Sequence, residues 1–410
     1  MKKLNYRKTF LLGFGFFAVS IMWSVYNAFM PKLLSNFVKS TALIGFIMTI
    51  DNYFAVFIQP TVGAMSDRIN TKYGKRMPFI MAGMPLASIL ILGLANYKNF
   101  PMLIIFLVLT NLSMSIFRSP VISLMPDITY KENRSKANGI INFMGGIGAV
   151  IAYFIGSKLW DMDEKYPFYL AAILMMISFI VLFMFIKEKR DVIEYEKSDE
   201  RVGLIEGIRA TNNSRNVIML LLAICSWFIA YQGIEAFFTL YGENYLKIKT
   251  SAASFSLTFM SISFLIFAIP AGLIGTKISK KRAIKIGIFG LVLCFAFLSI
   301  IKDINIIRIV FLVCGFFWAM ININSYPYVT DMAPKGQIGT YTGLYYLFSS
   351  IAAIISPPLL GFIIDIMDYK YMFIYGTLFF ILAFIFISSI KGNGTVQNDD
   401  EKNDINYKEV

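Results

Sequence analysis

The sequence predicts an all-α integral membrane protein, with twelve transmembrane helices in two six-helix, pseudo-symmetric halves. Composition is the first reason: 15% of residues are charged and 57% hydrophobic, with 39 phenylalanines, whereas a soluble domain carries about a quarter charged residues. Spacing is the second. The apolar residues fall in runs of roughly 18 to 24 between short polar breaks, and about 20 residues of helix cross a hydrocarbon core. Recurrence is the third, because residues at corresponding places in the two halves of the chain match one another.

Helix 1 is expected over 10–30. The opening MKKLNYRKTF has the outline of a signal peptide, but the apolar run behind it continues to Met30 without an A-x-A-like cleavage site, so it is read as a retained helix. Helices 2 to 6 follow at 43–65, 77–95, 101–121, 137–157 and 167–186. The longest polar break, 187–215, carries both signs of charge and reads as a cytoplasmic linker between an N-terminal half, 1–186, and a C-terminal half, 216–390. Helices 7 to 12 are expected at 216–241, 252–275, 283–301, 304–326, 340–364 and 370–390, and the polar tail 391–410 is expected to be disordered.

With an even helix count both termini share a side. About 27 Lys and Arg fall in segments on that side against about 9 on the other, which predicts cytoplasmic termini and a multi-pass protein of the inner (plasma) membrane. The formal charge of +13 is thus read as a topology signal for the lipid bilayer, with no nucleic acid implied. Histidine is absent, which excludes histidine relays, triads and metal sites. Cys225, Cys294 and Cys314 lie in apolar runs without C-x-x-C spacing and read as buried structural thiols. No metal or cofactor is implied.

The repeat pairs Pro60 with Pro270, Gly83 with Gly290, Pro120 with Pro327, Gly139 with Gly343 and Asp161 with Asp365. The offset falls from 210 to 207 to 204, with both steps in cytoplasmic loops, where deletions are tolerated. Duplication accounts for that pattern.

Residues 63–76, GAMSDRINTKYGKR, join helix 2 to helix 3. Gly63 would let helices approach closely, Asp67 at the membrane edge could meet a helix N-terminus or an Arg, and Lys75 and Arg76 suit the cytoplasmic leaflet. The segment, including Arg68, resembles the signature loop of the major facilitator superfamily. Five residues, Ile69 to Tyr73, separate its Asp-Arg pair from the next Gly, and Pro78 follows. That longer form resembles the glycoside-pentoside-hexuronide cation symporters and their sucrose-transporter-like branch, as do DNYFAVFIQPTVGAMSDR at 51–68 and RSPVISLMPDITYKENRSKANG at 118–139. The second-half counterpart, AGLIGTKISKKR at 271–282, lacks the Asp-Arg pair. The resemblance implies a major facilitator fold, a small-molecule solute such as a sugar, and a coupling proton or sodium ion. It also has limits. Asn111 stands where plant sucrose transporters keep a coupling Asp, and Gln59 before Pro60 breaks the melibiose-permease pattern of paired acids.

Ionisable groups inside lipid-spanning helices are costly and mark function by default. Asp51, roughly 12 Å into helix 2, and Glu235 of helix 7 are therefore the cation-coupling candidates. Arg118 forms an i, i+4, i+7 stripe with Asn111 and Ser115 on helix 4; counted from the helix ends it lies in the cytoplasmic third, as a gate partner for Asp67 or Asp127 or as a substrate ligand. Arg308 reads as snorkelling and Asp365 as an interfacial acid. If helices 1, 4, 7 and 10 line a cavity, as the resemblance implies, it contains Ser20, Trp23, Ser24, Asn27, Asn111, Ser115, Tyr231, Gln232, Trp318, Asn322 and Ser325. The substrate-binding candidates are Asn27, Asn111, Ser115, Tyr231, Gln232, Trp318 and Asn322, whose amides and hydroxyls suit sugar hydroxyls while an indole face suits a pyranose ring. The alternative is helix packing. Gly63, Asp67, Arg68, Arg76, Arg118 and Asp127 are the gating candidates. Glycines 139, 145, 146 and 148 permit close packing of helix 5, and Pro357-Pro358 is expected to break or kink helix 11.

Cation-coupled uptake of a sugar or glycoside by alternating access is the function these features favour. A proton-coupled exporter of lipophilic compounds is the alternative, disfavoured because GGIGAVIAYFIG at 145–156 has no proline. A nontransporting sensor would need an output domain larger than the segments available, and an enzyme would need a metal motif, a Ser-His pair or spaced acids, none of which is visible. No Walker sequence offers direct ATP drive.

Overall fold

The computed structural model describes residues 4–130, 133–188, 215–334 and 337–391. Twelve long helices make up the described chain. They are α1 (Tyr6–Ser35), α2 (Thr41–Arg68), α3 (Met77–Ala95), α4 (Phe100–Asp127), α5 (Arg134–Met162) and α6 (Tyr166–Phe185), then α7 (Arg215–Asn244), α8 (Thr250–Ile278), α9 (Lys280–Leu298), α10 (Ile304–Asp331), α11 (Ile338–Met367) and α12 (Met372–Ser388). Several reach 28 to 30 residues, about 42 to 45 Å at 1.5 Å per residue, so they overshoot the hydrocarbon core at both ends. Most starts carry ordinary helix-start chemistry. The side chains of Asn99 and Asp303 accept hydrogen bonds from first-turn amides of α4 and α10, and proline occupies an early position in α3, α4 and α6.

Eleven of the helices are long and apolar enough to cross a membrane. The twelfth, α9, has the length but opens on Lys280, Lys281, Arg282 and Lys285, leaving a shorter apolar stretch above a basic end. Two of the expected shapes differ from what is found. The α2 helix is interrupted at Thr49, which separates Thr41–Met48 from Ile50–Arg68. By contrast α11 runs unbroken through Pro357 and Pro358.

Packing repeats across the midpoint. In the N-terminal half α1 packs on α5 and α6, α3 on α4 and α6, and α2 on α4; in the C-terminal half α7 packs on α11 and α12, α9 on α10 and α12, and α8 on α10. Each pair has its counterpart six helices later. The halves meet through α2 against α11, α5 against α8, and α1 against α7. So α5 and α11 both lie at the interface between the halves, each against a different partner.

The loop before α3 and the ends of α4, α6 and α12 share one face, here called the terminal face; Asn216 at the start of α7 exchanges two hydrogen bonds with the Lys391 backbone there. Three polar clusters join the halves at the opposite face. Lys32 at the end of α1 pairs with Glu243 at the end of α7. Asp365 of α11 accepts from Ser40 Oγ (2.7 Å) and the amides of Thr41 (2.6 Å) and Ala42 (3.0 Å), capping the first turn of α2. Asp161, its repeat mate on α5, accepts from Ser251 Oγ at the start of α8 (2.7 Å). Close backbone contact tightens the same seam, since a Cβ on Gly45 would lie 2.4 Å from the Pro357 carbonyl and one on Gly361 2.4 Å from that of Thr41. Toward the terminal face α5 has open space at one position: a Cβ on Gly139 would meet nothing within 4 Å.

Candidate functional site

Between the halves lies a cavity of about 420 Å³, closed over by the opposite-face contacts. Its lining starts from helix periodicity. On α1 the positions Ser20, Trp23, Ser24 and Asn27 fall at i, i+3, i+4 and i+7 and all reach it. On α7 Tyr231, Gln232 and Glu235 do so, with Trp318 from α10 and Arg118 from α4. Asp51 and Asn52 enter from α2 because the interruption at Thr49 starts a new helical segment there, placing Asp51 in a first turn, where the helix dipole favours an acid. Asn52 Nδ2 donates to Asp51 Oδ1 at 2.9 Å.

Arg118 departs from its expected place. It lines the cavity with Asp51, close enough for the two charges to interact, and its guanidinium lies 5.9 Å from the centre of the Trp23 ring. Counting residues along each helix separately places them in different layers, but α2 packs on α4 and its second segment begins only at Ile50, which brings the two groups to one cavity. Glu235 is met from the other half, since Tyr153 Oη of α5 donates to its Oε1 at 3.1 Å, with Asn27 and Tyr231 beside the same carboxylate. Across the cavity Tyr231 and Trp318 stack in parallel, centroids 4.1 Å apart and planes 3° apart. Trp318 is only 5% exposed, so one indole face is already taken and the half-buried Tyr231 ring is the more accessible of the pair.

Three expected ligands lie elsewhere. Asn111 is fully buried, with Nδ2 3.4 Å from Tyr26 Oη of α1, and Ser115 is buried beside the same helix packing. Asn322 lies one turn past Trp318, outside the lining, and Ser325 Oγ contacts Tyr345 Oη of α11 at 3.2 Å. Of the stripes on α4 and α10, only one end of each reaches the cavity, Arg118 and Trp318.

Sequence reasoning passed over Tyr153, Asn142, Thr49 and Asn52. The first two share a cavity-facing stripe with Gly145, Gly146 and Ala149 on α5, which a heptad count of 142, 145, 149 and 153 would have found. The last two flank Asp51 in T-I-D-N, a Thr followed by an acid two positions later, which is a helix-start signal inside an apolar run.

The gating candidates form a separate cluster on the terminal face. Arg76, 7% exposed, donates from Nε to Asp127 Oδ2 at 2.8 Å, pairs through Nη2 with Asp67, and reaches Ser66 Oγ and the Gly63 carbonyl through Nη1. Burial would lower its pKa, but the hydrogen bond and charge of Asp127 and the charge of Asp67 outweigh burial and hold it above the usual arginine value. The partner expected for these acids was Arg118; Arg76 takes both. Glu188, assigned by sequence to the linker, is wholly buried and accepts from the amides of Lys75 (2.7 Å), Arg76 (2.9 Å) and Met77 (2.8 Å), capping α3. Gly74 has φ of +115°, and a Cβ there would strike the Glu188 carboxyl at 2.4 Å. Gly63 is less constrained, its Cβ position meeting only Ser119 Oγ at 3.0 Å, and Arg68 is exposed. In the C-terminal half Lys280 at the start of α9 pairs with Asp331 at the end of α10, so the same two helix ends are joined there by an ion pair, though at positions shifted by three residues from those the repeat would align with Arg76 and Asp127. Most of the linker and the tail, 189–214 and 392–410, fall outside the described residues.

The sequence profile of the Major Facilitator Superfamily matches residues 12–357 and, in a second match, 309–393. The chain belongs to that superfamily. This major facilitator protein is 25% identical over 284 residues to the class B tetracycline resistance protein of Escherichia coli, covering 67% of this chain and 68% of that one. Over 120 residues it is 31% identical to the sucrose transport protein SUC4 of Arabidopsis thaliana, covering 25% and 24% of the two chains. Its fold superposes on the crystal structure of the nucleoside transporter NupG with a TM-score of 0.77 at 15% identity, over 94% of this chain and all of that one.

Proposed function

We propose that this superfamily member is a secondary active transporter that takes up a sugar or glycoside together with a proton or sodium ion, moving it through the central cavity by alternating access, in the plasma membrane with both termini cytoplasmic. The observation that carries the reading is the lining. A cavity for lipophilic compounds would be walled mainly by apolar side chains, whereas this one sets Asn27, Asn52, Asn142, Gln232, three serines, Thr49, Tyr153 and Tyr231 around two carboxylates and Arg118, with apolar residues such as Phe16, Met48 and Phe264 between them. The carboxylates sit on different halves, Asp51 on α2 and Glu235 on α7, so relative movement of the halves changes the surroundings of both. That is what coupling needs.

Support from relatives is divided. The local match to a sucrose transport protein favours the sugar, while the longer match to a tetracycline resistance protein favours proton-coupled export. Counterflow separates them: proteoliposomes preloaded with unlabelled solute are expected to exchange at least one labelled monosaccharide, disaccharide or glycoside. A broad sugar panel without exchange, together with expulsion of a lipophilic cation, would establish the exporter instead.

A further inference from the structure

Behind Glu235 the cavity has an annex. A recess of about 30 Å³ shares Tyr153, Tyr231, Glu235, Met260 and Ser261 with the main cavity; the four polar ones form a rim, and Met260 stands where the rim meets the apolar wall. Its wall is different in kind: Ile234, Leu257, Met260, Phe295 and Phe311, drawn from α7, α8, α9 and α10. The two phenylalanines are anchored in the aromatic core of the C-terminal half, Phe295 edge-on to Phe373 and Phe380, and Phe311 4.8 Å from Phe238. Such a wall cannot fold away or turn polar to suit a hydroxyl. A hydroxyl pushed past the rim would lose its water partners and find no replacement, which is unfavourable, whereas a small apolar group would exchange water for carbon contacts.

Resting on the reading of the main cavity as a sugar site, we infer that the recess is a specificity pocket for a short alkyl substituent. The favoured solute then carries its hydroxyls in the main cavity and one or two carbons past Tyr231 and Glu235, as a methyl or ethyl glycoside or a deoxy sugar would. Size sets the limit. Room for one water needs roughly 10 to 15 Å³ by such a measure, so the recess takes about two groups of that size and no more.

This makes a chain-length optimum the signature. Burying one CH₂ contributes about 0.8 kcal/mol, or about fourfold in affinity per carbon. Binding can be followed without knowing the natural solute, through the fluorescence of Trp23 and Trp318, both in the cavity lining. The purified protein is titrated with glucose, galactose and xylose and with their methyl, ethyl and hexyl β-glycosides. For the sugar that binds, the methyl form is expected to bind about fourfold and the ethyl form on the order of tenfold more tightly than the parent, with the hexyl form weaker than the ethyl. Leu257→Phe should erase the alkyl gain and leave the parent sugar unchanged, and Leu257→Ala should move the optimum to a longer chain. Parent and methyl forms of equal affinity, or affinity that rises steadily to the hexyl form as simple partitioning would give, overturns this inference alone. Silence toward every parent sugar and every glycoside overturns the sugar reading and this inference with it.

Discussion

At the scale of single residues, Asp51 and Glu235 are buried acids with different company. Glu235 has a hydroxyl donor, Tyr153, from the opposite half, while Asp51 has an amide neighbour on its own helix and a cationic one, Arg118, from α4 of the same half. A hydrogen bond to a charged group contributes about 1.5 to 3 kcal/mol. Tyr153→Phe is therefore expected to slow coupled transport on the order of tenfold, with the thermal midpoint of the purified protein within a few degrees of wild type; unchanged initial rates would remove Tyr153 from the mechanism. The aromatic pair makes a second forecast. Because Tyr231 covers a face of Trp318, Trp318→Ala should weaken solute binding mainly by letting the Tyr231 ring collapse, so Tyr231→Ala should weaken it to a similar degree and the double variant little further. Additive losses would show that the two rings act separately.

At the scale of elements, the loop between α2 and α3 is a junction inside the N-terminal half, anchored by its two buried residues, Gly74 and Arg76. Arg76 ties the ends of α2 and α4 together, and Glu188 pins the start of α3 to the end of α6. Removing one partner of a buried ion pair costs about 3 to 5 kcal/mol when the other charge is stranded, and less here because Asp67 and Asp127 are each about a third exposed. Arg76→Ala should lower the thermal midpoint in detergent. Since the guanidinium pKa is raised in the folded state, its contribution is fully present below the usual arginine pKa, and from neutral to mildly alkaline pH the deficit should stay constant. A deficit that shrinks across that range would point to another group. Much of this level was legible in the residues. Run length and polar breaks located all twelve helices, and the Asp-Arg loop could be recognised from its spacing. The partners could not be read: Glu188 lies 112 positions from Arg76, and nothing local distinguishes it from its neighbours in a charged linker. The interruption at Thr49 is hidden for another reason: within a long apolar run a single Thr carries no signal of its own, and Asp51 two positions later reads first as an isolated buried acid.

At the scale of the whole molecule, the repeat seen in the residues becomes a repeat in contacts. Asp161 and Asp365 were paired by alignment alone, and in the structure each holds the first turn of a helix from the other half. Together with Lys32 and Glu243 they fasten the opposite face, whereas on the terminal face Gly139 has open space beside it. Opening the opposite face must break these bonds, so the double change Asp161→Asn, Asp365→Asn should shift the population toward that opening. Spin labels at Phe46 on α2 and Ile366 on α11, both exposed, should then report a longer mean distance in the double variant. Distances equal to wild type would assign the closure to packing at Gly45 and Gly361. The central claim is that moving halves couple a solute to an ion through acids placed on both. Uphill accumulation of a labelled sugar or glycoside in proteoliposomes under an imposed proton or sodium gradient tests it most directly, alongside counterflow of the same solute. Wild-type protein should accumulate the solute, while Asp51→Asn should lose accumulation and keep counterflow, because exchange needs binding and rocking but no net ion movement. Accumulation that persists at wild-type level in both Asp51→Asn and Glu235→Gln would contradict the account.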